Sequence, residues 1–340
     1  MIYIVIIFLW TAILLYLILG GADFGAGILE LFSSNPNKSK TRKTMYRAIG
    51  PIWEANHMWL IIAIVILFVG FPKIYTTMST YMHIPLVLML LGIIARGTAF
   101  TFRHYDAVKD EMQKVYNRIF VYSSFITPFF LGVIAGSTVT RRINPEADNF
   151  LDAYFFSWVN GFSFAVGLFT VTICGFLAAV FIIGQTPDAS EKKRFIKKAK
   201  AFNILAVIAG AIVFVVSLIE KIPLTTWVFD NWPGTLAFIL ATISVVILWS
   251  VWNTERTNLM RFLAGFQVTM ILFITTWKHY PNIILLKNGS ALSLLQEQGN
   301  EKTIAALAWA LLLGSIFILP TLVYLIYSFQ KNASKKRVIR

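Results

Sequence analysis

Asp23, Glu54 and Arg96 sit inside long apolar stretches of this chain. A charge at the centre of a bilayer costs at least about 2.5–3.5 kcal/mol, so a retained one points to a proton relay, an ion path or a counter-ion. Counting from the span ends places all three at similar depth, toward one side of the membrane. Asp23 lies in Gly20-Gly21-Ala22-Asp23-Phe24-Gly25-Ala26-Gly27. There, Gly21 with Gly25 and Ala22 with Ala26 form small-xxx-small pairs that let helices approach closely. A carboxylate among close-packed helices must be paired or protonated, and either state suits proton transfer. The apolar residues Ile28-Leu29 and Leu31-Phe32 that follow favour burial over an interfacial position. This glycine run is not a nucleotide fingerprint, because its spacing is wrong and no strand precedes it.

Glu54 and His57 are spaced i, i+3 and share a helix face, with Asn56 offering a donor and an acceptor beside them. Trp53 and Trp59 read as packing or interfacial anchors. Arg96 lies one to two turns before the inner end of its span and is expected to act as counter-ion to Asp23 or Glu54. Arg103, two turns nearer the end, is expected to snorkel to the headgroups, and Glu30 to be interfacial. The expectation is a buried network of two carboxylates and one guanidinium drawn from three helices.

The elements that must position these groups follow from composition. The 340 residues are 57% hydrophobic and only 14% charged, against about 25% charged in a soluble domain. Mean hydropathy is +0.71. Apolar runs long enough to cross a bilayer about 30 Å thick recur nine times. They fall at about 2–32, 49–70, 79–103, 115–137, 154–184, 201–219, 234–252, 259–277 and 303–329. The N-terminus has no basic stretch before its apolar run and reads as a retained first span.

Of the 30 Lys and Arg residues, 22 fall in 33–48, 103–118, 185–200, 253–261 and 330–340. Only 7 fall in the alternate connections 71–78, 138–153, 220–233 and 278–302. That alternation predicts an N-terminus outside and a C-terminus in the cytoplasm. It also accounts for the net charge of +14, so no nucleic-acid partner is expected. Gly21–Gly27 is echoed by Gly161-Phe-Ser163-Phe164-Ala-Val-Gly167 in the fifth span. The expected architecture is therefore an all-α polytopic membrane domain of two four-helix bundles, 1–137 and 154–277 as possible repeats, plus a peripheral helix at 303–329. Ser163 replaces Asp23 in the second copy, which confines the chemistry to the first bundle.

The single cysteine, Cys174, excludes a disulfide within the chain and reads as a packing residue. Among His57, His83, His104 and His279, only His57 is placed well inside the membrane. Two axial histidines at one depth are lacking, so the chain is expected to ligate no haem or metal, while it could flank a haem held by a partner.

Three segments together resemble subunit II of cytochrome bd-type quinol oxidases: Gly21–Gly27, Pro51-Ile-Trp53-Glu54-Ala-Asn56-His57-Met-Trp59-Leu60, and Arg96-Gly97-Thr-Ala-Phe100-Thr101-Phe102-Arg103. These motifs cover about the first 105 residues; the remainder matches in length and nine-span layout. Relatives commonly carry an acidic residue where this chain has Thr101, so no carboxylate role falls there. The resemblance implies a multi-pass protein of the bacterial cytoplasmic membrane, paired with subunit I in a complex that oxidises quinol and reduces oxygen to water. Two haems b and one haem d would be held by subunit I. Asp23 and Glu54 match acidic residues associated with proton delivery, assisted here by His57, Asn56 and Arg96. Gly21, Gly25, Gly27, Trp53 and Trp59 would serve helix or subunit packing. Contact with membrane lipids is expected. Which quinone is used, and whether a small single-helix subunit joins, the sequence leaves open. Two other readings of the same residues are a proton-coupled secondary transporter and a purely structural subunit.

Overall fold

Span 1, Ile2–Leu31, is one long helix interrupted by a π turn at Tyr16–Gly20, just before the glycine-rich segment. The computed structural model describes residues 1–50, 53–105, 111–186, 188–254 and 256–338. Pro51 and Ile52 of the second motif, and the side chain of His104, lie outside this description. Among the described residues, eight further helices are long and apolar enough to cross a membrane. Spans 2 to 5 are Trp53–Gly70, His83–Arg103, Met112–Ser137 and Gly161–Ile183. Spans 6 to 9 are Ala189–Ile219, Trp232–Val251, Thr257–His279 and Glu301–Thr321, the last continuing as helix to Val338.

Several boundaries move from their expected places. Residues 189–200, read as a connection, form the start of span 6, with the Asp188 side chain accepting from the Ser190 amide at 2.9 Å. The basic segment after span 1 is itself a helix, Asn35–Ile49, and so is Pro72–Tyr81 after span 2. Hydropathy detects apolarity, whereas Lys, Arg and Ala also propagate helix well. Span 5 begins seven residues later than expected, at Gly161 in place of residue 154, because Asn160 caps it through the Ser163 amide at 2.8 Å.

Spans 1 to 4 pack as one bundle (1 on 2, 1 on 4, 3 on 4), and spans 5 to 8 as another (5 on 6, 5 on 8, 7 on 8). Span 5 joins them by packing on spans 1 and 4, and is 67% buried over its most apolar window. Span 9 rests on spans 1 and 2 and is 11% buried over the same length, which makes it the peripheral helix.

Two glycines set the central contact. A Cβ on Gly25 would strike the carbonyl oxygen of Cys174 and come within 2.6 Å of the Ala178 Cβ; one on Gly27 would strike the Ser124 side chain. Span 1 is thereby seated between spans 4 and 5 at backbone distance. The same contacts bear on the internal echo. Gly25 lies level with Cys174 and Ala178 on span 5, while Ser163 is in the first turn of span 5, bonded to Ser137 at 3.0 Å. Asp23 lies level with Ser124, thirteen residues from Ser137 on span 4, or about 20 Å along a helix. The two glycine segments therefore sit at different depths, and their likeness gives the repeat no support.

At the end opposite the basic segments, the long connection 278–302 folds back as a hairpin. Strand β1, Asn282–Leu285, pairs antiparallel with β2, Ala291–Ser293. It is tied to span 4 through Leu285 N–H donating to Thr138 O (2.8 Å), and to span 2 through Gly299 N–H donating to Gly70 O (2.8 Å).

Candidate functional site: an ion-pair ladder in the first bundle

Span 1 brings Asp23 to the seam between spans 3 and 4, where it is fully buried. Arg96 of span 3, 1% exposed, donates from Nη1 to Asp23 Oδ2 at 2.8 Å and from Nη2 to Oδ1 at 2.7 Å. Nη2 also reaches the Asp23 carbonyl at 3.0 Å, and Nε donates to Ser124 Oγ of span 4 at 3.1 Å. This is the bidentate fork of a guanidinium on a carboxylate, the strongest form of charge-assisted hydrogen bond. The rings of Phe24 and Phe120 lie 5.2 and 5.0 Å from the guanidinium carbon and cover its remaining surface.

His57 of span 2 closes the site from the other side, with Nε2 at 3.6 Å from Asp23 Oδ2. Its ring is packed by Phe24, Tyr16 and Trp53, with centroids 5.7 to 6.2 Å away. His57 Nδ1 and the Tyr16 hydroxyl are both buried without a hydrogen-bond partner. The imidazole next to the buried carboxylate is thus free to take a proton, and both polar atoms are free to bind a water molecule.

The expected second carboxylate is corrected. Glu54 does not join Arg96; it is exposed on the outer face of span 2. Helix geometry explains this: Asn56, two residues on, is buried, and two residues turn a helix by about 200°. The buried partner is Glu30, expected to be interfacial but only 2% exposed. Arg103, expected to snorkel, is instead buried and ion-paired with Glu30 Oε2 at 3.1 Å. Arg42 holds Glu30 Oε1 from the basic helix, through Nε at 2.9 Å and Nη2 at 2.7 Å. Lys198 of span 6 donates to the Leu29 carbonyl at 2.9 Å and to Ser33 Oγ, placing a cation at the C-terminal end of span 1, where the helix dipole favours it.

The remaining expected residues fall as follows. Asn56 is buried on span 2, Trp59 packs inside the first bundle, and Trp53 lies on Phe100 with centroids 5.0 Å apart. Gly21 faces Cys174 and Leu177. Thr101 is exposed and bonds back to the Gly97 carbonyl at 3.1 Å. Sequence reasoning missed Tyr16, Phe120 and Ser124, since aromatic and small polar residues in an apolar span carry no distinguishing signal. The pairing of Glu30 with Arg103 did leave a signal: Glu30 follows Asp23 and Arg103 follows Arg96 by the same seven residues, on two parallel spans.

Among the described residues no group of three or more His, Cys, Asp or Glu could hold a metal ion. Among the described histidine side chains, no two are placed to serve as axial ligands of one haem: His57 is packed by aromatic rings, while His83 and His279 stand at the far end of the molecule, on Tyr154 and Trp227 respectively.

Nine membrane-crossing helices among the described residues, in two bundles around a buried ion-pair ladder, define a polytopic membrane protein. The sequence model of cytochrome bd terminal oxidase subunit II matches residues 1–329. The chain belongs to that family. It is 26% identical to a cytochrome bd ubiquinol oxidase subunit 2 of Bacillus subtilis, over 96% of this chain and 97% of the relative. It is also 26% identical to the bd-I ubiquinol oxidase subunit 2 of Escherichia coli, over 50% of this chain and 46% of the relative. The fold matches that of a bd oxidase from Geobacillus thermodenitrificans with a TM-score of 0.77, covering 97% of this chain and 99% of that one at 18% identity. The protein is thus a multi-pass bacterial membrane subunit of a haem-bearing quinol oxidase complex, working with a subunit I. Nothing in these comparisons supports a transporter.

Proposed function

We propose that this subunit delivers protons from its basic, cytoplasmic end toward haems held wholly by subunit I, for the reduction of oxygen to water. The observation that carries this reading is the fully buried Asp23 with His57 Nε2 at 3.6 Å and two unpartnered polar atoms beside it. Glu54 lies one turn from His57 on the outer face of span 2. On that helix, Ile61, Ile64, Val65 and Phe68 are also exposed, forming a face suited to the apolar surface of subunit I. A proton arriving at the basic end would pass between Glu54 and His57, with the Asp23 carboxylate stabilising the imidazolium in transit. Arg96 holds Asp23 in position and keeps its charge compensated.

The test is oxygen consumption by the assembled complex carrying Asp23→Asn or Glu54→Gln, read beside its haem spectrum. Lower turnover with full haem content supports the proton path; unchanged turnover in both variants removes it.

A structural reading is favoured by one observation: both carboxylate oxygens of Asp23 are already bound by Arg96. In that case Asp23→Asn costs assembly and haem content, and turnover per haem stays constant.

A further inference from the structure

We propose that the end of the protein opposite the basic segments binds the phosphodiester headgroup of an anionic phospholipid. A cavity of about 300 Å³ opens there between the segment after span 4, the segment after span 6 and the end of span 8. Arg141, Lys221, Lys278 and His279 line it. These residues come from two connections and the end of a span, so the chain folds cations together that are distant in sequence.

Unpaired charge at this end is concentrated in the cavity. The four connections here carry seven Lys and Arg: Lys73, Arg141, Arg142, Lys221, Lys278, Lys287 and Lys302. Three are paired with carboxylates: Lys73 with Glu297, Arg142 with Glu220 and Lys287 with Asp152. Three of the four cations without such a partner among the described residues line the cavity. Glu220, the acid in the lining, is already engaged, accepting from the Gly161 amide at 2.7 Å and from Arg142 at 3.1 Å.

The backbone agrees. Arg141 and Lys221 have φ of 56° and 57°, a left-handed conformation that residues with a Cβ adopt only when their surroundings impose it. Both strained positions are cationic, and both border the cavity.

The surroundings favour a lipid over a free anion. Tyr280 lines this cavity and also a second, largely apolar one of about 410 Å³, formed by Trp10, Phe273, Thr276 and Trp277. That groove runs between spans 1 and 8 and suits an acyl chain leaving the headgroup site. Trp277 is 52% exposed, and Ile219, two residues before Lys221, is 73% exposed, as expected of side chains facing lipid at the membrane boundary.

The experiment is native mass spectrometry of the purified two-subunit complex in detergent, titrated with phosphatidylglycerol, phosphatidylcholine or inorganic phosphate. The unaltered complex and the Lys302→Gln control are expected to retain one phosphatidylglycerol in preference to phosphatidylcholine. Each cation near an anionic lipid is worth roughly fivefold in affinity, so Lys221→Asn with Lys278→Gln should weaken retention about 30-fold. Both lysines are exposed, so their replacement leaves the helices packed as before. Equal retention by the double variant would overturn the site. Displacement of the lipid by millimolar inorganic phosphate, with no loss of retention in Trp277→Ala, would show a simple anion site and overturn the lipid assignment.

Discussion

Asp23 and Glu30 occupy one face of span 1 seven residues apart, and each is clasped by an arginine of span 3 at the same interval, Arg96 and Arg103. Seven residues advance a helix by about 10 Å. Because spans 1 and 3 run in parallel, one repeat length on each produces two stacked ion pairs. The Phe120 ring lies within 5.0 Å of the first guanidinium and 4.4 Å of the second, so one aromatic side chain shields both cations.

This arrangement allows stability and conduction to be separated. Removing one partner of a buried pair leaves an uncompensated charge, at a cost of about 3–5 kcal/mol. Asp23→Asn should therefore lower the thermal midpoint of the complex, and adding Arg96→Gln should restore most of it, since the two substitutions are coupled. If Asp23 serves proton delivery, oxygen consumption stays low in the restored double variant. Recovery of turnover together with stability would mark Asp23 as purely structural.

Glu54 should behave in the opposite way. It is exposed on this chain and makes no ion pair among the described residues, so Glu54→Gln breaks no ion pair within the subunit and is expected to lower the thermal midpoint less than Asp23→Asn does. Loss of a group that passes protons should nevertheless slow turnover by about tenfold or more. Stopped-flow oxygen consumption beside a thermal melt gives both numbers, and wild-type turnover would exclude Glu54 from the path.

Gly25→Ala and Gly27→Ala should differ in how they can be repaired. A methyl group at 25 meets the backbone carbonyl of Cys174, which no side-chain change removes; at 27 it meets the Ser124 side chain. Overpacking typically costs about 1–3 kcal/mol. Ser124→Gly should recover part of the loss for Gly27→Ala, and no substitution at Cys174 should do so for Gly25→Ala. Thermal midpoints of the four variants check this.

The hairpin of the 278–302 connection should loosen in acid. Asp152 accepts from the Asn144 amide at 2.6 Å and from Lys287 of the 278–302 connection at 3.1 Å. The Asn144 hydrogen bond first, and then that from Lys287, hold its carboxyl below the usual aspartate value. A depressed folded-state value means the contact contributes fully above the unfolded carboxyl's range and is lost as pH falls through the folded value. Amide exchange in 282–293, corrected for intrinsic rates, should show less protection at about pH 3 than at pH 6. Lys287→Gln should shrink that difference.

Much of this was legible in sequence. Nine apolar runs, Asp23 and Arg96 all read directly from hydropathy and the price of a buried charge. What was not legible depended on rotation about a helix axis. Glu54 and Glu30 are both carboxylates near a span end, yet one faces outward and the other inward. Depth counting resolves about one turn and says nothing of facing. Nor does hydropathy register that basic residues such as those in 189–200 extend a helix beyond the apolar stretch that follows them.

The π turn at Tyr16–Gly20 has a bearing on how this stretch tolerates change. Such a turn carries one residue more than an α-helical path over the same rise. Deleting one residue from 16 to 20 would remove that excess and let span 1 run as regular helix, with Asp23 keeping its place beside Arg96. A further insertion there has no such outlet and would turn Asp23 by about 100° relative to the preceding helix. Side-chain changes at Leu17 or Ile18 leave that phase untouched. This segment therefore absorbs the loss of a residue more readily than the gain of one.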